Sequence, residues 1–312
     1  MKKSSRIYYH FVIGACGGLT GWFTGTLFLG ALGGAPQWWG QQALYGAILG
    51  ATIGIAIAAY DGLMNRSWRR FVKYGSVGLG LGAFAGGLAL PLAQLIYGSL
   101  LKNAESNSPW QAVLVGTLCW LLFGGLIGFG EGVGKGTQSW KGLMGGVVGG
   151  VAGGLAYEVN RVASGAAKEP FRYQFFLALS LLVLGAAISA AIALVIDLLK
   201  AAEVEILDGK FAGRSYDVTK YVDPKLGSHR SGVIGSDQWG AQIFLPGDGE
   251  VLPRHAEIGF ANGAPTLTVT PEASKRATTF INGRRLTLST PLSDGDRLQF
   301  GSTKLIYRQK RR

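Results

Sequence analysis

The first 200 residues run as long apolar stretches broken by short polar loops; beyond Lys200 apolar and polar positions alternate over short segments. Six stretches are long enough to be membrane-crossing helices: 8–32, 42–60, 75–100, 110–130, 142–157 and 173–199. A bilayer core takes about 20 mostly apolar helical residues. In lipid a helix satisfies its own backbone, whereas an open sheet edge does not. The fifth stretch is the shortest and is mostly Gly, Val and Ala. After Lys200, strands are expected over 204–207, 215–221, 233–234, 243–245, 256–260, 266–269, 279–281, 286–288, 297–300 and 304–308. Breaks such as Pro246-Gly247-Asp248-Gly249 and Asp294-Gly295-Asp296 separate them, the signature of a β-sandwich. The pattern therefore predicts a transmembrane helical bundle of about six spans over 1–200, then an all-β sandwich over 201–312.

Composition agrees with two solvents for one chain. Charged residues make up 15% of the 312, against roughly 25% in an ordinary soluble domain. Of the 30 Lys/Arg and 18 Asp/Glu, 14 and 6 fall in residues 1–200, leaving 16 and 12 for the remainder. Lys2, Lys3 and Arg6 precede an apolar run far longer than the 7–15 or so residues of a signal peptide's core. That run is read as a retained first span. The second loop carries Arg66, Arg69, Arg70 and Lys73, and the fourth carries Lys135 and Lys141. The opposite side has an uncharged loop at 33–41 and Lys102 in the third loop, although Arg161, Lys168 and Arg172 in the fifth run against the trend. The positive-inside rule then makes the N-terminus cytoplasmic, and an even number of spans brings the C-terminal domain to the same side. The expected location is a bacterial-type inner membrane.

The net charge of +12 raises nucleic acid as a partner, but no basic-aromatic motif accompanies it, and juxtamembrane loops account for the excess. No nucleic-acid partner is expected. Cys16 and Cys119 lie in apolar runs and offer neither a disulfide framework nor metal spacing. No nucleophile–base constellation is visible, and the lysine in 132–136 lacks the full phosphate-binding loop pattern. Neither enzyme activity nor a cofactor is expected. Asp61, Glu131, Glu158 and Asp197 fall toward span ends, which weakens a coupled-transport reading. Gln94 beside Pro91 reads as a kink in the third span.

Fifty glycines give about twice the usual share of roughly 7%. They recur every fourth residue at Gly17/Gly21/Gly25, Gly46/Gly50/Gly54, Gly78/Gly82/Gly86, Gly124/Gly128/Gly132 and Gly142/Gly146/Gly150/Gly154. That spacing clears one helix face for a neighbouring backbone. Gly82, Gly86, Gly146, Gly150 and Gly154 are assigned to helix packing; a homo-oligomer or a pore through the same faces is the alternative. A weak parallel repeat relates Ile53-Gly54 … Ser67-Trp68-Arg69 to Ile127-Gly128 … Ser139-Trp140-Lys141.

The fragments Gly235-Ser236, Ile243-Phe244-Leu245, Val251-Leu252-Pro253-Arg254-His255-Ala256-Glu257-Ile258, Thr279-Phe280-Ile281-Asn282-Gly283, Gly295-Asp296 and Phe300-Gly301 follow one another in a specific order. In this the last third of the chain resembles a forkhead-associated (FHA) domain. The resemblance implies a β-sandwich whose loops at one end bind phosphothreonine peptides. Gly235, His255, Asn282 and Gly283 match the family pattern. The reading positions do not: Ser236 stands for an Arg, Leu252 for a Ser, and Arg276-Ala277 for a Thr-Asn pair. A phosphate carries about −1.5 to −2 charge and needs charge-assisted donors, which Ser236 and Leu252 do not supply. His255 reads as a loop-supporting histidine. Arg254, Lys275, Arg276, Arg284 and Arg285 keep the loop end basic. Ser236, Arg254, His255, Lys275, Arg276 and Asn282 are the candidate ligand contacts.

The expected function is an inner-membrane scaffold presenting an FHA-like module to a cytoplasmic protein, acidic or phosphorylated, through a phosphate-independent contact. The bilayer is the other partner. The rivals are a channel or small-solute transporter regulated by its FHA domain, and a membrane-anchored phosphothreonine reader.

Overall fold

The computed structural model describes residues 3–31, 39–64, 67–101, 109–134, 139–164, 170–208, 211–223 and 231–310. Expectations placed on Lys2, loop residues 33–38, Arg66, Lys102, Lys135, Lys168 and Arg312 lie outside the described residues. The chain divides into a helical unit, Lys3–Leu198, and a β unit that starts at Leu199.

Six helices form the first unit: α1 (Lys3–Ala31), α2 (Trp39–Met64), α3 (Trp68–Leu101), α4 (Pro109–Gly134), α5 (Ser139–Ser164) and α6 (Pro170–Leu198). Each is long and apolar enough to cross a membrane. The fifth, expected to be the shortest, is a 26-residue helix, because helical structure continues through the polar residues that flank the glycine-rich run. Pro91 lies inside α3 without ending it.

Each helix packs on the next, and α6 returns to α1, which closes a ring. Helices α2, α4 and α6 also meet one another across its middle. Leu49, Ile53 and Ile57 of α2, Phe123 and Ile127 of α4, and Leu184, Ile188 and Ile192 of α6 fill that interior. Large apolar side chains such as Phe23, Phe84, Leu114 and Phe175 face outward. So broad an exposed apolar surface is uncommon on a water-soluble monomer and suits a lipid surround.

The four-residue glycine spacing coincides with two close helix pairs, and a third pair is also glycine-backed. Between α2 and α3, Gly46 faces Gly86, Gly50 faces Gly82 and Gly54 faces Gly78, and a Cβ on either member would run into the other's carbonyl oxygen. Gly124 with Gly146 and Gly128 with Gly142 do the same between α4 and α5; Gly150 and Gly154 lie against Trp120. Gly14 and Gly185 make the third such contact, between α1 and α6. Gly82, Gly86, Gly146, Gly150 and Gly154 are thus covered within the chain.

Glu158 lies toward the C-terminal end of α5, as its place in the sequence implies. It is buried and accepts hydrogen bonds from Trp120 Nε1 at 3.1 Å and Arg161 Nε at 2.6 Å. Nearby on α5, Asn160 Nδ2 donates to the Phe176 carbonyl at 2.9 Å. Toward the other end of the bundle, Arg6 lies 3.8 Å from Asp197. These charged groups are held by partners, as burial in an apolar unit requires.

The second unit is a two-sheet sandwich: β1 (Ala202–Ile206), β2 (Ser215–Asp217), α7 (Thr219–Val222), β3 (Gly232–Gly235), β4 (Ile243–Phe244), β5 (Ala256–Ala261), β6 (Ala264–Val269), α8 (Pro271–Arg276), β7 (Thr279–Ile281), β8 (Arg284–Arg285), β9 (Ser289–Pro291), β10 (Arg297–Phe300) and β11 (Thr303–Gln309). One sheet has the order β2-β1-β11-β10-β7-β8, the other β4-β3-β5-β6-β9. Alternation sets the inward face: Ala202, Val204 and Ile206 of β1 are buried while Glu203 and Glu205 are not. They join Ile234, Ile258, Leu267, Leu298, Phe300 and Leu305 in one core.

Three segments depart from the expected strands. The strand expected over 215–221 stops at Asp217, whose carboxylate accepts the Thr219 N–H at 2.9 Å and opens α7. The strand expected over 286–288 is instead a crossing between sheets: Leu286 N–H bonds to Thr279 in one, and the Leu288 carbonyl accepts from Val269 in the other. Helix α8 was not anticipated. Thr270 caps it by accepting the Ala273 N–H, with Pro271 at the first helical position, a combination that favours helix initiation.

Candidate functional site

Strand register gathers the loops at one end of the sandwich. Ile234 pairs with Ala256 and Ala256 with Val269, so Gly235, His255 and Thr270 come together just past the strand ends. Phe300 pairs with Thr279 in the facing sheet and brings the start of β7 to the same end. At Gly235 a Cβ would collide with the Pro253 carbonyl oxygen, so the close approach of these two loops requires glycine.

Ser236 turns toward its own scaffold. Its N–H donates to the Leu252 carbonyl at 2.9 Å, and its hydroxyl donates to the Val251 carbonyl at 2.9 Å. Leu252 is only 8% exposed and belongs to the core. Its N–H donates to His255 Nδ1 at 3.1 Å. Because Nδ1 accepts, the proton of the neutral ring sits on Nε2, which donates to Thr279 Oγ1 at 2.8 Å. The ring meets Phe300 edge-on, with centroids 5.4 Å apart. His255 is fully buried. That burial lowers its pKa, the charge of Arg276 acts in the same sense, and Asp248 opposes both. The His255 carbonyl in turn accepts from the Thr270 hydroxyl at 3.0 Å. One imidazole and its backbone thus tie three loops together. It is a support, out of reach of a ligand.

Asp248 makes a second clasp. It accepts from the Glu250 N–H and from the N–H and hydroxyl groups of Ser302 and Thr303. Burial alone would raise its pKa, but the Ser302, Glu250 and Thr303 donors outweigh that and hold it below the usual carboxylate value.

The cations occupy different situations. Arg254 is exposed, and its guanidinium lies 2.7 Å from Glu257. Lys275 and Arg276 end α8 and are exposed, and neither forms an ion pair among the described residues. Ala277 caps the helix at φ 61°. Arg285 Nη2 donates to the Ser274 carbonyl at 3.2 Å, and its charge has no ion-pair partner among the described residues. Asn282 sits at the far end of β7. It and Gly283, at φ 51° and 79°, form the two-residue turn that such torsions favour. Asn282 Nδ2 donates to Asp296 Oδ1 at 2.8 Å, and its oxygen accepts the Arg297 N–H at 2.9 Å.

Of the six candidate contacts, Ser236, Arg254, His255, Lys275 and Arg276 belong to segments gathered at one end, and Asn282 does not. Thr270, Thr279 and Asp248 were not singled out from sequence, although they knit the end together. Threonine immediately before Pro271 was the legible signal for the first; the other two are tertiary contacts with no local signature.

The FHA-domain family profile matches residues 232–301. Among solved structures, an FHA domain from work on phosphothreonine-dependent interactions is 26% identical; the match covers 36% of this chain and 98% of that one, TM-score 0.28. The FhaA FHA domain, complexed with the intracellular domain of Rv3910, is 27% identical over 34% and 99% of the two chains, TM-score 0.27. An FHA domain of Chlamydia trachomatis is 18% identical over 35% and 98%, TM-score 0.29. No curated protein matches the chain. The β unit therefore contains a protein-interaction module. Residues 232–301 are an FHA domain, carried by a chain whose helical region is matched to no named family.

Proposed function

We propose that this protein is a membrane-anchored scaffold that offers a phosphate-independent FHA module to a cytoplasmic protein. One observation carries the reading: two of the family's phosphate-reading positions, Ser236 and Leu252, are held by side chains already committed elsewhere. The Ser236 hydroxyl is bonded to Val251 and Leu252 lies in the core. A phosphate dianion stripped of water needs charged or convergent donors, and these two positions supply neither. The closely filled middle of the helical unit supports an anchor in preference to a conduit.

Reinstating the readers tests this. Ala277 already holds a positive φ, a conformation that asparagine tolerates better than alanine. The triple variant Ser236→Arg, Leu252→Ser, Ala277→Asn is expected to prefer a phosphothreonine peptide over its unmodified form by about tenfold more than the parent, or about 1.4 kcal/mol. Peptide titration of both proteins, with melting curves to confirm folding, measures it. A parent that already discriminates as well as the variant contradicts the reading.

The anchor has its own test. With Cys16 and Cys119 replaced by alanine, single cysteines at Lys2 and at Arg312 are expected to react with an impermeant thiol reagent only after cells are opened, as loop charge asymmetry demands. Reaction of either in intact cells contradicts the topology.

A further inference from the structure

We propose that the loop end docks a carboxylate-rich, unphosphorylated segment of a partner protein, held by Lys275 and Arg276. The inference rests on the phosphate-independent reading and names the partner's chemistry. Three acidic groups around this end are already engaged. Asp248 serves the turn at Ser302 and Thr303, Asp237 accepts from the Trp239 and Gly240 N–H groups, and Glu257 takes Arg254 and Ser231. Glu272 lies in the opening turn of α8, and Lys275 and Arg276 in its last. Their charges, with that of Arg285, have no counterion within ion-pair distance among the described residues.

The platform carrying them is fixed. Ala273 is fully buried, Thr270 caps the start of α8, and Ala277 closes its end with its N–H on Ser274. The Ser274 hydroxyl donates to the Thr287 carbonyl at 2.6 Å. A held backbone leaves only side-chain freedom to be lost on docking.

Geometry decides between one doubly charged group and several single charges. Successive helical residues point about 100° apart, so the Lys275 and Arg276 side chains leave the helix in diverging directions. They do not close on a single phosphate as a converging pair would. Two separated carboxylates along an extended segment fit them better. Exposed ion pairs are individually weak, so the contact is transient and sensitive to salt.

The β unit draws its core from its own residues, Ala202 to Tyr307, so residues 201–312 are tested alone. Anisotropy titrations use a labelled peptide of alternating Glu and Ser, the same peptide with Gln for Glu, a phosphothreonine peptide of neutral sequence, and vesicles containing anionic lipid. The Glu peptide is expected to bind at least about tenfold more tightly than the Gln peptide. The double variant Lys275→Gln/Arg276→Gln should abolish that difference without moving the melting temperature, and Arg284→Gln should leave it intact. Equal binding of the Glu and Gln peptides, an indifferent double variant, or vesicle binding without peptide binding overturns the proposal alone. A phosphothreonine preference above tenfold that Arg276→Gln removes overturns the phosphate-independent reading beneath it.

Discussion

Gly82→Leu and Gly150→Leu are expected to loosen the helical bundle far more than Val77→Leu or Val148→Leu on the same helices. Gly82 faces the Gly50 carbonyl oxygen and Gly150 that of Trp120, whereas Val77 and Val148 are exposed. A leucine at either glycine meets backbone, which cannot rotate aside like a side chain. Helix pairs α2/α3 and α4/α5 would have to separate along their length. Overpacking typically costs about 1–3 kcal/mol, occasionally more, and an immovable carbonyl places these variants at the upper end. At the exposed positions a larger apolar side chain meets lipid or detergent and costs little. Melting of the four variants in detergent solution measures the contrast; equal losses at glycine and valine would mean the spacing is incidental to packing.

His255→Ala should be the most damaging single change in the sandwich. It strands the Leu252 N–H and the Thr279 hydroxyl, both bonded to the ring, and empties a fully buried site. A stranded buried polar group costs about 1–3 kcal/mol, a large fraction of the roughly 5–15 kcal/mol by which a domain is stable. Acid should act through the same residue. The folded pKa of His255 lies below the ordinary 6.5, so the unfolded chain binds a proton that the folded ring refuses. Its stabilising contribution is complete above about 6.5 and is lost as pH falls from there through the folded value. Asp248, held below 3.8, adds a separate loss only in stronger acid. Melting of residues 201–312 at pH 7 and pH 5 should show a drop that His255→Asn reduces. A drop of the same size in that variant would contradict the assignment.

How much could be read in advance differs between the two units. All six helices were visible as apolar runs, because lipid exposure demands unbroken hydrophobicity, and their ends were missed where helix continues through residues such as Trp39 and Trp68. The repeat was seen only in α2–α3 and α4–α5. The third glycine-backed pair joins α1 to α6 and has no contiguous sequence to display. In the sandwich, alternation located most strands, but Asp217 and Thr219 divert the chain into α7 by a side-chain bond that alternation does not register. Thr270-Pro271 was a readable helix start, hidden by the surrounding strand pattern. The resemblance in motif spacing implied which reading positions are altered. What those replacements do, Ser236 bonding Val251 and Leu252 entering the core, depends on loops distant in sequence and needed the fold. Asn282 matched the family pattern yet serves a turn at the opposite end, since a motif gives identity without direction.

The most direct test of the phosphate-independent module is titration of residues 201–312 against matched phosphothreonine and unmodified peptide libraries. The account predicts that no pair differs by more than about tenfold, or about 1.4 kcal/mol. Tight binding that requires the phosphate and disappears in Arg276→Ala would contradict it, and would make the relocated arginine at the end of α8 the phosphate reader.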